Sequence, residues 1–302
     1  MNQQMTNTSL AHETQITEPV DGNELVIGSG FEARSFKYNQ FDSLMDPIVM
    51  VDHYTMTAPT FGEHPHAGMS AVSVLFEDST GIFNNKDSLG NDIDLKPGDA
   101  YWLKAGSGAI HDEKPTSGSV THGLQIFVNL PGKHKFDVPE SVHIANSAIP
   151  IIDDKNYRVR VVFGETNGVL GAVSPVLALT ILDVFIKSNG LFEHSVQQDQ
   201  NLFIYAVDGD VEIQLDANCI QLKQHQATAI HSGSGDTRLT IASKDNSHVV
   251  VLQGKPIGER FVQKGPFVMS SSADLKRVVT AYESGTMPSI NHNQPQTSVL
   301  MS

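Results

Sequence analysis

Residues 96–113 read Lys-Pro-Gly-Asp-Ala-Tyr-Trp-Leu-Lys-Ala-Gly-Ser-Gly-Ala-Ile-His-Asp-Glu. A Pro97-Gly98-Asp99 turn leads into four residues of β character, Ala100 to Leu103. A glycine-rich bend, Ala105 to Ala109, follows, and then the word His111-Asp112-Glu113. On a strand, alternate side chains leave the same face, so His111 and Glu113 are expected to point into one space. Upstream, His64-Pro65-His66 repeats that geometry. Pro65 lacks a backbone donor, which suits a sheet edge or the mouth of a barrel. The bend allows the chain to reverse and set the two words opposite each other. Three imidazoles and a carboxylate suit a first-row divalent metal better than calcium or magnesium, which prefer oxygen. Four protein ligands on an octahedral ion leave two positions open, as a catalytic metal requires.

Working outward, short β-type runs alternate with turn signals through most of the chain, the pattern of a sandwich or small barrel. Ser70 to Phe76, Leu124 to Asn129, Val159 to Phe163, Leu177 to Ile186, Leu202 to Val207 and His248 to Gln253 are examples. Turns such as Leu89-Gly90-Asn91 and Asp208-Gly209-Asp210 separate them. Helical periodicity is confined to Ala273 to Glu283, with a serine cap at Ser272 and Gly285 closing the segment. The pattern lapses around Pro139 to Asn156. The expected division is a disordered tail over 1–20, a metal-binding β-domain over 21–140 and a linker over 141–156. A second β-domain over 157–285 and a tail over 286–302 complete it. Glu193-His194 ahead of Phe203 to Gly209 weakly echoes His64-Pro65-His66 ahead of Ser73 to Glu77, consistent with an internal duplication.

The chain of 302 residues carries 34 acidic and 20 basic residues, a net charge of −14, and has no Lys/Arg block. Phosphate neutralisation is therefore disfavoured, and neither nucleic acid nor an anionic membrane is an expected partner. The single Cys219 excludes an internal disulfide framework and CxxC chemistry. No run approaches the roughly 18–20 apolar residues of a membrane span, and Met1 to Pro19 does not read as a signal peptide. A cytoplasmic location is expected.

Several segments together resemble the pirin family of the cupin superfamily: Asp52-His53, His64 to Gly68, Asp87 to Asn91, Pro97 to Asp99, Ala105 to Gly108 and Ile110 to Glu113. Gln125 to Pro131 extends the resemblance, and Gly254 to Glu259 with Gly265 to Met269 resembles the family's C-terminal signature. The resemblance implies an all-β bicupin: two tandem jelly-roll barrels (double-stranded β-helices), followed here by a short C-terminal helix, with metal only in the first. It also implies one mononuclear metal held by His64, His66, His111 and Glu113. That metal is Fe(II) first, with Mn, Co, Ni, Cu or Zn as alternatives. Some members of the family oxidise the flavonol quercetin with dioxygen. The mammalian member is described as a nuclear cofactor of transcription regulators.

The resulting expectation is a quercetin 2,3-dioxygenase-type oxidoreductase that takes a small phenolic substrate and O2, with Glu113 as the catalytic base. The competing expectation is a metal-bearing, redox-sensing regulatory module that binds a protein partner without turnover. The chain departs from the family pattern at Ala67, where arginine is common, at Phe76-Glu77-Asp78 and at Lys86. These departures spare the ligands and bear on the substrate. His53 is expected to line the cavity or support a ligand, or else to be a packed core histidine. His122, His134, His143, His225 and His248 are expected at the surface. His194 and His231 stand alone, which argues against a second metal. Tyr101 and Trp102 are expected to pack the first barrel on alternate faces, and Cys219 to be a small buried residue.

Overall fold

A computed structural model describes residues 13–291. Two halves repeat one plan. In the first, a seven-stranded antiparallel sheet runs in the order Glu140–Ile144, Ala100–Lys104, Met69–Leu75, Thr121–Asn129, Ile48–Met56, Phe31–Lys37, Asn23–Ile27. A four-stranded sheet packs against it, in the order His64–His66, Ala109–Pro115, Phe83–Asp87, Asp92–Leu95. In the second half the small sheet runs Leu191–Val196, Thr237–Ala242, Val211–Leu215, Asn218–Leu222. Both small sheets therefore place their strands in the order first, fourth, second, third. The large sheet of the second half is eight-stranded, with Asn201–Asp208, Ser247–Gly254 and Leu179–Ile186 at its centre. This is the expected all-β jelly-roll pair, and the shared strand order accords with duplication.

The alternation read from the sequence sorts residues onto two faces of each large sheet. Trp102 points outward and Tyr101 inward, as their alternation requires. The outward faces of the two large sheets pack on each other through Phe36, Val51 and Leu124 from the first half and Phe203, Tyr205 and Leu252 from the second. Each such fully buried large side chain contributes about 1.5–3 kcal/mol of burial. Arg160, wholly buried in the second half, crosses the seam. It donates to Asp183 at 2.6 Å, to Asn146 Oδ1 at 3.1 Å and to the Gly98 carbonyl.

Three segments differ from expectation. Gln15–Ile16 lies within the expected N-terminal tail and Val20–Asp21 at its end, yet both pair with Gln226–His231 of the second half. Ile16 and Val20 pack against the cores there, and Thr17 meets Thr228, so a polar stretch is held by an open sheet edge. Residues 1–12 of that tail lie outside the described residues. The linker carries Glu140–Ile144 and Ile151–Asp153, each paired with a large sheet. Met287 and Ile290, expected in the C-terminal tail, are buried beside Ala67, Ile110 and Val278; residues 292–302 lie outside the described residues.

After the second sandwich the chain returns to the first. The hairpin Val262–Lys264 with Phe267–Met269 bridges to Ala67, next to His66. The helix Ser272–Glu283 is capped by Ser271, one residue earlier than expected, which accepts from the Asp274 N–H. Gly68 is glycine for two reasons: its φ is +70°, and a Cβ there would lie 2.0 Å from the Val268 carbonyl oxygen. The Lys135 ammonium, buried alongside, donates to Gly68 O, Asn129 Oδ1 and Val268 O at 2.6–2.9 Å. Burial pushes this amine down to about 8. Among the described residues no helix is long and apolar enough to cross a membrane.

Candidate metal centre

His64–His66 is the edge strand of the small sheet and pairs only with Ala109–Pro115, so the proline faces no neighbour that its missing donor would deprive. The register sets His111 opposite His64 and Ala109 opposite His66. His111 Nε2 consequently lies 2.9 Å from His64 Nε2 and 3.0 Å from His66 Nε2. Among the described residues, these three are the group whose ligand atoms gather, all within 4.8 Å of one another.

The donor set fits a cation. His64 Nδ1 lies 2.9 Å from the Gly62 carbonyl, which can only accept, so Nδ1 carries the proton and Nε2 presents a lone pair. A single N–H on His111 cannot point at both neighbours, so one contact sets like atoms together unless a positive ion lies between them. Burial holds His66 and His111 well below the ordinary imidazole range, and His64 adds to that effect on both. Burial also lowers His64. All three rings are thus kept neutral, the form that ligates metal.

Glu113 leaves the same strand face but stands beside the three nitrogens. Its Oε1 accepts from Ser73 Oγ at 2.7 Å, and its Oε2 lies 3.9 Å from His111 Nδ1. Burial pushes its carboxyl up to about 7, while the Ser73 hydrogen bond pulls the other way. Ser73 Oγ is also 3.1 Å from Gln125 Oε1, so one hydroxyl proton serves two acceptors.

A cavity of about 620 Å³ opens onto His64, His66 and Glu113. Four phenylalanines, Phe31, Phe61, Phe83 and Phe127, stand in its walls, and its polar lining includes Lys37, Asp52, Tyr54 and Gln125. Gln263, Gly265 and Pro266 contribute from the returning hairpin, a wall that motif reading did not reveal. Only the family-like Gly265-Pro266 signature hinted at it.

His53 belongs elsewhere. It neighbours Asp52 on Ile48–Met56, so when Asp52 faces the cavity His53 faces the seam. There its Nδ1 lies 2.6 Å from Tyr205 OH and its Nε2 lies 2.7 Å from His122 Nε2, while His122 Nδ1 lies 2.8 Å from Asp78. The carboxylate fixes the direction of this chain: His122 donates to Asp78, His53 to His122, and Tyr205 to His53. His225 and His248 join His53 and His122 around a second cavity of about 880 Å³ between the halves. His53 is thus a packed histidine, the second of its expected roles, while the surface positions expected for His122, His225 and His248 are corrected, because strands distant in sequence assemble the seam. His194 is buried and satisfied, bonding Thr166 Oγ1 at 2.8 Å and Gln253 Oε1 at 2.7 Å. Cys219 is exposed, contrary to expectation, because it lies on a small-sheet strand whose buried residue is Leu222.

A tandem jelly-roll protein with, in one half, a three-histidine cluster that could hold a metal ion is a bicupin by class. The chain belongs to the pirin family: the family model "Pirin" matches residues 9–128, and "Pirin C-terminal cupin domain" matches residues 181–288. Rat pirin is 30% identical over 89% of this chain and 92% of its own length. A pirin-like protein of Arabidopsis thaliana is 31% identical over 80% and 88%. In structure, the chain resembles a quercetin 2,3-dioxygenase from Acinetobacter baumannii, with a TM-score of 0.81 and 23% identity, over 92% of this chain and all of that one. It also resembles the Escherichia coli pirin YhhW in complex with nickel(II), with a TM-score of 0.60 and 16% identity, covering 80% and 99%.

Proposed function

We propose that the protein is a metal-dependent dioxygenase that opens a flavonol-type phenol with O2 at a mononuclear site, iron(II) first among the candidate metals. The observation that carries this reading is the convergence of three neutral imidazole nitrogens at the wall of an aromatic cavity. His64, His66 and His111 would hold the metal, with Glu113 proposed as the fourth ligand. A metal there would acidify a coordinated hydroxyl and supply the redox chemistry for dioxygen.

The chain's own residues do the rest. Gly62 fixes the tautomer of His64 through its carbonyl. Glu113, the one carboxylate beside the three imidazoles, takes the substrate's hydroxyl proton. Ser73 orients that carboxylate. Phe31, Phe61, Phe83 and Phe127 hold a planar ring and keep water from it. A cavity of about 620 Å³ suits a drug-sized ligand, which favours turnover over a regulatory surface read by a protein partner. A cytoplasmic setting, inferred from the cysteine count, belongs to the same proposal.

The test is to load the purified protein with Fe(II), Mn(II), Co(II), Ni(II), Cu(II) or Zn(II) in turn and follow quercetin absorbance together with oxygen uptake. Stoichiometric loss of both with at least one redox-active metal is the expected result. No oxygen uptake with any metal, together with protein capture that depends on metal oxidation state, would favour the regulatory reading.

A further inference from the structure

The inward face of the first large sheet carries a polar row, flanked on one side by Lys37 and on the other by Tyr54. Ser35, Asp52, Gln125 and Ser73 are register partners on four adjacent strands: Ser35 pairs with Asp52, Asp52 with Gln125, and Gln125 with Ser73. Met50 and Phe127 form a row to one side. Within the polar row Ser73 donates to Gln125 Oε1 and to Glu113, while burial raises the Asp52 carboxyl and Ser35 lowers it. Two atoms are left over. Asp52 Oδ1, an acceptor, and Gln125 Nε2, a donor, are shielded from solvent and have no partner, and both residues line the cavity. Asp52 is itself only 8% exposed.

A buried polar atom without a partner is costly, so a matched pair of them on residues that line a cavity points to a ligand that satisfies both. Adjacent strands lie about 4.8 Å apart, which lets one oxygen seated between them reach both side chains. A phenolic hydroxyl has the required complement, one donor for Asp52 Oδ1 and one acceptor for Gln125 Nε2. From Ser73, which touches Glu113, to Asp52 is two strand steps, about 10 Å, the length of a molecule of two or three fused or linked rings.

We propose that Asp52 and Gln125 form a second recognition point in the cavity, binding a phenolic hydroxyl on a ring of the substrate remote from the metal. This rests on the cavity being the substrate site. It makes the polyhydroxylated members of an aromatic enol series the preferred ligands, and it makes Asp52 and Gln125 specificity-determining residues.

The test uses the full chain loaded with Zn(II), which has no redox chemistry, and measures dissociation constants by fluorescence quenching. Quercetin is compared with 3-hydroxyflavone, which keeps the hydroxyl and ketone edge and lacks the other hydroxyls. Quercetin is expected to bind at least about tenfold tighter. In Asp52→Asn that ratio should fall to within about twofold of one, with no drop in melting temperature, because the atom replaced has no partner in the free protein. Gln125→Leu removes the facing donor and should collapse the ratio in the same way. A wild-type ratio near one, or a ratio that both variants leave intact, overturns the proposal. Retained selectivity without turnover by the iron-loaded protein sinks the dioxygenase reading alone. Turnover with a ratio of one sinks the hydroxyl reading alone, and binding of neither flavonol overturns both.

Discussion

The two halves share a strand order and a register, yet they differ in what points inward. In the first, His66 faces Ala109 across the small sheet; at the matching place in the second, Val196 faces Thr237. Counting along both strands from that pair, the places of His64, His111 and Glu113 are taken by His194, Leu239 and Ile241. The large sheets differ in the same way. Across four adjacent strands the first has Ser35, Asp52, Gln125 and Ser73, and the second has Val161, Leu182, Val251 and Ile204. Apolar branched side chains fill the second sandwich to a continuous core, whereas the first keeps a cavity lined by polar atoms. One frame thus serves two ends. Inward substitution makes a site in one half and leaves the other half as its support.

The strongest way to break this comparison is to remove metal. Dialysis against a chelator should lower oxygen uptake more than about 100-fold while both cores keep the fold, and Fe(II) should restore it. Unfolding of the first half on chelation, followed by circular dichroism, would make the metal a structural staple instead.

Next in size is the tie between the halves. Arg160→Ala strips one of the two partners of buried Asp183 and frees Asn146 and Gly98, and should cost about 3–5 kcal/mol in a urea titration. Burial would raise the Asp183 carboxyl, but His248 and Arg160 together hold it below its ordinary value. A cost under 1 kcal/mol would mean that the seam does not depend on this pair.

His194 gives a smaller effect of a different kind. His194→Leu resembles its surroundings but leaves Thr166 Oγ1 and Gln253 Oε1 without their partner, for a loss of about 1–3 kcal/mol with no change in turnover. A fall in turnover at saturating metal would contradict its purely structural role.

The smallest effect is a pH slope at the seam. Burial first, then the charges of His122, His248, His225 and Arg34, push His53 down to about 3. Between pH 6.5 and 3 the unfolded chain takes up a proton that the folded chain refuses. Stability therefore falls as pH falls, by up to about 1.4 kcal/mol per pH unit from this group. His53→Phe should flatten the dependence of the urea midpoint between pH 7 and 5, and parallel slopes for the two proteins would count against it.

Much of this was legible in the residues. Alternation gave most central strands, and strand periodicity set His64 with His66 on one face and His111 with Glu113 on another, while the glycine-rich bend pointed to the pairing that brings His111 opposite His64. Pro65 marked the edge. The seam was not legible: His53 and His122 are ordinary residues of separate strands, and only the docking of two sheets makes them neighbours of Tyr205. The returning hairpin was equally hidden, since nothing in Gln263 states which half it covers. Asp52 and Gln125 were quoted as family-like residues, but their unpaired atoms appear only when register places them side by side.

The metal content of the purified protein, counted per chain by mass spectrometry for the wild type, His66→Ala and His194→Ala, tests the division of labour most directly. One equivalent in the wild type, none in His66→Ala and one in His194→Ala is the expected result. Two equivalents in the wild type, or a full equivalent in His66→Ala, would contradict a single centre in the first half.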